Sequence, residues 1–165
     1  MSEKITFYCP RCWKEIPPGT AVCPYCQASI EASVAETFLD KLIGALWHPV
    51  PSKAALAAHI LGRLGDPRAV EPLLGAFDRT RDPEVQEAAV RALGELGDPH
   101  AVALLSRVLK ESNMFITLRV AAAEALGMIG GEQAIQALQG VAKRNDRSVA
   151  CAARAALEKS QVTER

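Results

Sequence analysis

The decapeptide Leu61-Gly62-Arg63-Leu64-Gly65-Asp66-Pro67-Arg68-Ala69-Val70 returns as Leu93-Gly94-Glu95-Leu96-Gly97-Asp98-Pro99-His100-Ala101-Val102. A worn copy, Leu126-Gly127-Met128-Ile129-Gly130-Gly131-Glu132-Gln133-Ala134-Ile135, follows at nearly the same interval. Self-similarity with a period of about 20–50 residues marks a stacked-repeat architecture, in which each unit buries its apolar face only against its neighbours.

One period reads as two helices. Asp66-Pro67 and Asp82-Pro83 each place an N-capping acid before proline at the first helical position. After the first come Ala69, Val70, Leu73, Leu74 and Phe77, and after the second Val85, Ala88, Ala89, Ala92, Leu93 and Leu96, both apolar at helical spacing. Gly97 stands where a helix C-terminus favours glycine. The unit is helix A, a short turn, helix B, then Gly-Asp-Pro into the next helix A.

Two further units follow. Residues 99–129 place Ala101, Val102, Leu105 and Val108 on helix A, with Leu118, Ala121, Ala122, Ala125, Leu126 and Ile129 on helix B. Residues 131–159 end in Ala152, Ala153, Ala156 and Leu157. Upstream, Leu42-Ile43-Gly44-Ala45-Leu46 echoes Leu73-Leu74-Gly75-Ala76-Phe77, and Pro51 stands one full period before Pro83, so 33–64 is a degenerate first unit. Residues 30–48 are expected to pack as a cap. Abundant alanine on helix B lets neighbouring helices approach closely.

The segment 1–30 differs in kind. Four of the eight aromatic residues, Phe7, Tyr8, Trp13 and Tyr25, lie in the first 26. Cys9-Pro10-Arg11-Cys12 and Cys23-Pro24-Tyr25-Cys26 are two Cys-x-x-Cys pairs with ten residues between them. Each pair can turn two thiolates toward one point, and two pairs complete a tetrahedral zinc site. Four protein ligands leave no open coordination position, so the expected role of Cys9, Cys12, Cys23 and Cys26 is structural Zn2+ binding, not catalysis. So short a segment cannot build a self-sufficient core, and the metal supplies most of its folding energy. Pro17-Pro18-Gly19 is a turn signal between the pairs, and the connection reads as a short hairpin.

The run CPRC…IPPG…VCPYC resembles the short zinc-ribbon modules of bacterial and archaeal proteins. Those modules usually carry glycine after each pair, where the knuckle favours a positive φ; here Trp13 and Gln27 occupy these places, at a cost on the order of 1 kcal/mol each. The resemblance implies nucleic-acid binding in some proteins and protein docking in others. Trp13 and Tyr25 are expected to pack over the head's small core in preference to stacking on bases.

At residues 82–102, DPEVQEAAVRALGELGDPHAV, the body resembles the HEAT-like repeat family, and within it the subtype named for phycobilisome lyases. The likeness extends over roughly residues 50–160. It implies an all-α superhelix of about four helix pairs at 32–160, with a zinc ribbon at 1–30, whose B helices line a concave surface. In some members that surface binds proteins; in bilin lyases it handles an open-chain tetrapyrrole and its carrier.

Helix B of the second unit carries Glu87, Arg91 and Glu95 on the face opposite the core. The repeat steps carry this stripe to Ala55, His59 and Arg63, to Val120, Glu124 and Met128, and to Cys151, Ala155 and Lys159. The stripe therefore passes from basic through mixed charge to a partly apolar end. His59, Arg63, Glu87, Arg91, Glu95, Val120, Glu124 and Met128 are the candidate partner-binding residues. Cys151, flanked by Arg147 and Arg154, reads as a small apolar filler. His48, His59 and His100 fall at unrelated repeat positions and form no ligand pair.

Nineteen basic and nineteen acidic residues cancel, so no bulk field draws the chain to nucleic acid or an anionic membrane. No apolar run has membrane-spanning or signal-peptide length, and cysteine pairs without such a signal point to a reducing, cytoplasmic setting. The expected function is a non-enzymatic protein-interaction scaffold. The alternatives are nucleic-acid binding through the head, aided by Arg63, Arg68, Arg79 and Arg81, and a bilin-lyase-like enzyme or enzyme subunit.

Overall fold

The computed structural model describes residues 7–30, 38–143 and 146–163, with side chains as far as 160. The expected head–body junction and the first residues of unit one lie outside the described residues. Among the described residues two short strands, β1 (Phe7–Tyr8) and β2 (Glu15–Ile16), precede eight α-helices. The helices are α1 (Phe38–Ala45), α2 (Pro51–Leu64), α3 (Val70–Arg79), α4 (Pro83–Leu96), α5 (Val102–Lys110), α6 (Ile116–Ile129), α7 (Gly131–Ala142) and α8 (Arg147–Thr163). They form four A–B hairpins in series, as the period requires. The odd-numbered helices make the A layer and the even-numbered ones the B layer.

Asp82 caps α4 as expected, its carboxylate accepting from the Glu84 and Val85 amides, and Gly97 ends that helix in the left-handed conformation at φ 69°. The inter-unit turns depart from expectation. Asp66 and Asp98 cap short 3₁₀ turns, Pro67–Ala69 and Pro99–Ala101, and the α-helices begin only at Val70 and Val102. A carboxylate bonded two residues ahead, to Arg68 N at 3.0 Å and to His100 N at 2.9 Å, draws the first turn tight. The third junction has no Asp-Pro. Gly130 and Gly131 turn the chain at φ 68° and 80°, and α7 follows α6 after one residue. Gly130's pairing of that φ with ψ −158° is one that a side chain would obstruct.

One continuous core runs through the solenoid. It takes Leu73 and Phe77 from α3, Val90 and Leu93 from α4, and Leu105 and Val108 from α5. It continues through Leu118 and Leu126 of α6, Leu138 of α7 and Val149 of α8. Leu39, Leu42 and Leu46 join it, so residues 38–46 pack as the expected cap.

Close approach in the B layer depends on glycine as well as alanine. A Cβ built on Gly62 would lie 2.7 Å from Ala92 Cα, one on Gly94 2.7 Å from Ala125 Cα, and one on Gly127 2.7 Å from Ala156 Cβ. The first glycine of each Leu-Gly-x-x-Gly copy is therefore an interhelical contact, while the second belongs to the turn.

Two buried polar side chains, Gln86 and Arg119, stand at equivalent places on α4 and α6. Gln86 Nε2 donates to the Phe77 and Thr80 carbonyls, satisfying the C-terminal end of α3. Arg119 Nε donates to Leu109 O, and its Nη1 reaches Asp146 at 2.5 Å, tying unit three to unit four. Every buried side-chain nitrogen and oxygen among the described residues has a partner.

Candidate metal centre and docking face

The head is a duplicated knuckle, Cys9–Lys14 and again Cys23–Ala28. Cys9 N donates to Lys14 O and Cys23 N to Ala28 O, each at 2.9 Å; Trp13 N donates to Cys9 O at 2.9 Å and Gln27 N to Cys23 O at 3.0 Å. Tyr8 pairs with Glu15 as Val22 bridges to Ser29. Trp13 and Gln27 take φ 58° and 57°, the positive values expected at the two positions that lack glycine. The pairing corrects one expectation: the hairpins close around each knuckle, and among the described residues no ladder runs across Pro17-Pro18-Gly19. Turning each knuckle back on itself aims two thiols at one point, and joining strands across the linker would not.

The four thiols meet. Cys9 Sγ lies 3.6 Å from Cys26 Sγ, Cys12 Sγ 3.7 Å from Cys23 Sγ, and all four sulfurs lie within 4.8 Å of one another. A tetrahedral zinc site with Zn–S bonds of about 2.3 Å has sulfur–sulfur edges of about 3.8 Å, so the cluster fits a tetrahedral ion. Among the described residues this is the one group of Cys, His, Asp and Glu side chains gathered closely enough to hold a metal.

Ionisation of the cluster is uneven. Burial raises the Cys23 pKa, but the Cys26 and Tyr25 amides and the neighbouring thiols outweigh it and bring the group down to about 6. Cys12 is pushed up to about 12 by burial first, with the other three thiols adding to it against the Lys14 amide. Cys26 is also raised: the Ala28 amide lowers it, and burial with the Cys23 and Cys9 thiols overcomes that pull. Cys23 ionises readily while Cys12 and Cys26 resist adding charge beside it, a conflict that a central cation removes.

Trp13 does not pack over the head's own core, which consists of Cys9, Ile16 and Cys23 with Cys12, Cys26 and Ile30. Its indole Nε1 donates to Gly44 O of α1 at 3.2 Å, and its ring lies 4.4 Å from the His48 imidazole. The φ of 58° directs the side chain away from the sulfurs and onto the first repeat. His48 accepts from Val50 N at the start of α2, and burial first, then Lys53, holds its pKa below the ordinary histidine value. Tyr25 is 59% exposed, with Lys14 Nζ 4.7 Å above its ring, so it too fails to cover the head's core.

On the B layer, His59, Arg63, Arg91, Glu95, Glu124 and Met128 are exposed, while Glu87 and Val120 are half-buried. Ala55 is an exception to the expected stripe. It is buried with Ala54 and Val85 in a small cluster between α2 and α4, because the first B helix leans its N-terminal half onto its neighbour. Arg91 joins two units, reaching Glu87 and Glu124 at 3.1 Å each. Cys151 is exposed on α8, not a core filler, since Val149, Ala150 and Ala153 take the inward positions of that helix. A crevice of 440 Å³ opens between α6 and α8, walled by Gly127, Met128, Ala152, Ala155 and Ala156 with Glu124 and Lys159 at its rim. The stripe includes four of its lining residues, Glu124, Met128, Ala155 and Lys159. Gly127, Ala152 and Ala156 carry no polar signal and were legible only as helix-packing residues.

No helix among the described residues is long and apolar enough to cross a membrane. Comparison with curated proteins gives no match. The sequence profile of HEAT repeats matches residues 39–117 and again 79–158, together nearly three quarters of the chain. With eight helices stacked as hairpins over the same span, the chain belongs to the HEAT-repeat family.

Proposed function

We propose that the chain is a non-enzymatic adaptor, with a zinc-stabilised head fixed to a solenoid whose B-helix face docks another protein. The observation that carries this reading is the B face itself. Its inward side is consumed by the core, while His59, Arg63, Arg91, Glu95, Glu124 and Met128 are exposed along the opposite side, with Glu87 half-buried among them and Val120 half-buried against the core. HEAT repeats as a class serve protein interaction. The four-thiol set supports a zinc-ribbon assignment with a structural ion, since it closes the coordination sphere.

The test is capture of binding proteins by the metal-loaded chain, with and without nuclease, alongside the Glu87→Lys/Arg91→Glu variant. A stoichiometric protein that survives nuclease and is lost with the variant supports the adaptor. A protein retained equally by the variant removes this face from the function.

A second reading, nucleic-acid binding through the head, draws support from the exposure of Phe7, Tyr8 and Tyr25, with Lys14 over the Tyr25 ring and Arg11 exposed on the same head. Bases stack on such rings. Its signature is binding that falls steeply with salt and is lost in Tyr25→Ala. The phycobilisome-lyase likeness is tested separately by titration with an open-chain tetrapyrrole, where a change in visible absorption would move the function to that class.

A further inference from the structure

Equivalent seams of the B layer are finished differently. At the seam of α2 and α4, Glu95 Oε2 comes within 2.6 Å of the place a Gly62 Cβ would occupy, so the Glu95 side chain lies over that seam. At the seam of α4 and α6 the equivalent residue, Met128, brings its Cε within 2.9 Å of the corresponding place on Gly94. At the seam of α6 and α8, the three atoms nearest Gly127 all belong to Ala156. Here the apolar crevice opens.

Charge changes across the same face. Toward α4 the face carries the exposed or half-buried Glu84, Glu87, Glu95 and Glu124 against Arg91, while Lys159 stands on the α8 side of the crevice and Arg63 lies beyond, on α2. Arg91 is shared between Glu87 and Glu124, and Glu95 has no ion-pair partner among the described residues. The crevice is therefore bordered on its α4 side by a surplus of carboxylates, within one to two interhelix spacings of about 8–10 Å.

We propose that this seam docks a basic amphipathic helical segment of a protein partner. A large apolar side chain of the segment fills the crevice against Met128, Ala152 and Ala155, and its lysine or arginine residues lie toward α4 opposite Glu95 and Glu87. The proposal rests on the adaptor reading and specifies the partner's chemistry. An apolar anchor with a charged flank gives orientation, since the anchor alone could enter either way round.

The probe is a fluorescein-labelled synthetic helical peptide with leucine on one face and lysine on the other. A second peptide carries glutamate in place of lysine. Each is titrated into the metal-loaded full chain by fluorescence anisotropy. The lysine peptide is expected to bind, and the glutamate peptide at least about tenfold more weakly. Ala155→Trp, which fills the crevice from an exposed position, should weaken the lysine peptide by about tenfold or more. Glu95→Lys should weaken it as well and flatten its salt dependence, with circular dichroism verifying the fold of both variants. Equal or tighter binding of the glutamate peptide would overturn the proposed charge while leaving docking at this face intact. Lysine-peptide binding indifferent to Ala155→Trp would overturn the site. If neither peptide binds, the proposal fails, and the capture experiment with the Glu87→Lys/Arg91→Glu variant judges the adaptor reading independently.

Discussion

Gly94 and Gly140 both sit inside helices, yet their surroundings assign them opposite responses to the same substitution. A Cβ at Gly94 would meet Ala125 Cα and Cβ at 2.7 Å, backbone and short side chain that cannot swing aside. A Cβ at Gly140 would meet nothing within 4 Å. Gly140→Ala is expected to stabilise by roughly 0.5–1 kcal/mol through reduced backbone entropy. Gly94→Ala forfeits that gain to overpacking of about 1–3 kcal/mol and should come out net destabilising. Urea unfolding of the two variants decides it, and a stabilised Gly94→Ala would mean that the seam is looser than described. Neither glycine's role is legible in the sequence, because it depends on what lies opposite, a whole repeat away along the chain. Cys151 reads two ways, since the repeat stripe puts it on the outward face while its small apolar side chain suits a filler, and one position of helix phase separates the two. The positive φ of Trp13 and Gln27, by contrast, is fixed locally by the two residues' places in the knuckles, and it was legible.

Helix starts vary in quality along the B layer. Asp82 bonds two amides of α4, whereas Val50 before α2 and Phe115 before α6 offer no side-chain cap. Phe115 is also 64% exposed, so it gains little from burial where it stands. Phe115→Asp is expected to stabilise the chain by about 1 kcal/mol, read as a raised thermal midpoint. No change would mean that the turn geometry at 112–116 keeps a carboxylate from reaching the amides of α6. The existence, order and pairing of the helices were readable because apolar spacing, Asp-Pro starts and glycine stops agree with one another. The 3₁₀ turns at Pro67 and Pro99 were not, since Asp-Pro announces a helical start without stating the tightness of its first turn. The polar ties made by Gln86 and Arg119 are not legible in the sequence, because each sits where the repeat pattern shows only a surface-type residue.

At the scale of the whole molecule, the head and the repeats are joined through Trp13, one residue beyond Cys12 and hydrogen-bonded to α1. The attachment was not legible, because a tryptophan at a knuckle position reads equally as core, base platform or bracket. Metal removal is expected to disorder the knuckles and leave most of the far-UV helical signal, while shifting tryptophan emission to the red. Trp13→Phe should abolish most of that shift, because Trp47, the other indole, is held within the repeats under Arg79 at 4.9 Å. Collapse of helicity on chelation would show instead that the solenoid depends on the head for its folding. One zinc per chain by elemental analysis, lost in Cys23→Ser, checks the stoichiometry. The glycine–alanine seams also have a consequence beyond stability. Successive B helices touch along much of their length, whereas successive A helices meet far less. Three missing side chains therefore let the inner row close up where the outer row does not. Enlarging Gly62, Gly94 or Gly127 would act as a wedge driven into a dry-stone joint, prising the B layer open one course at a time.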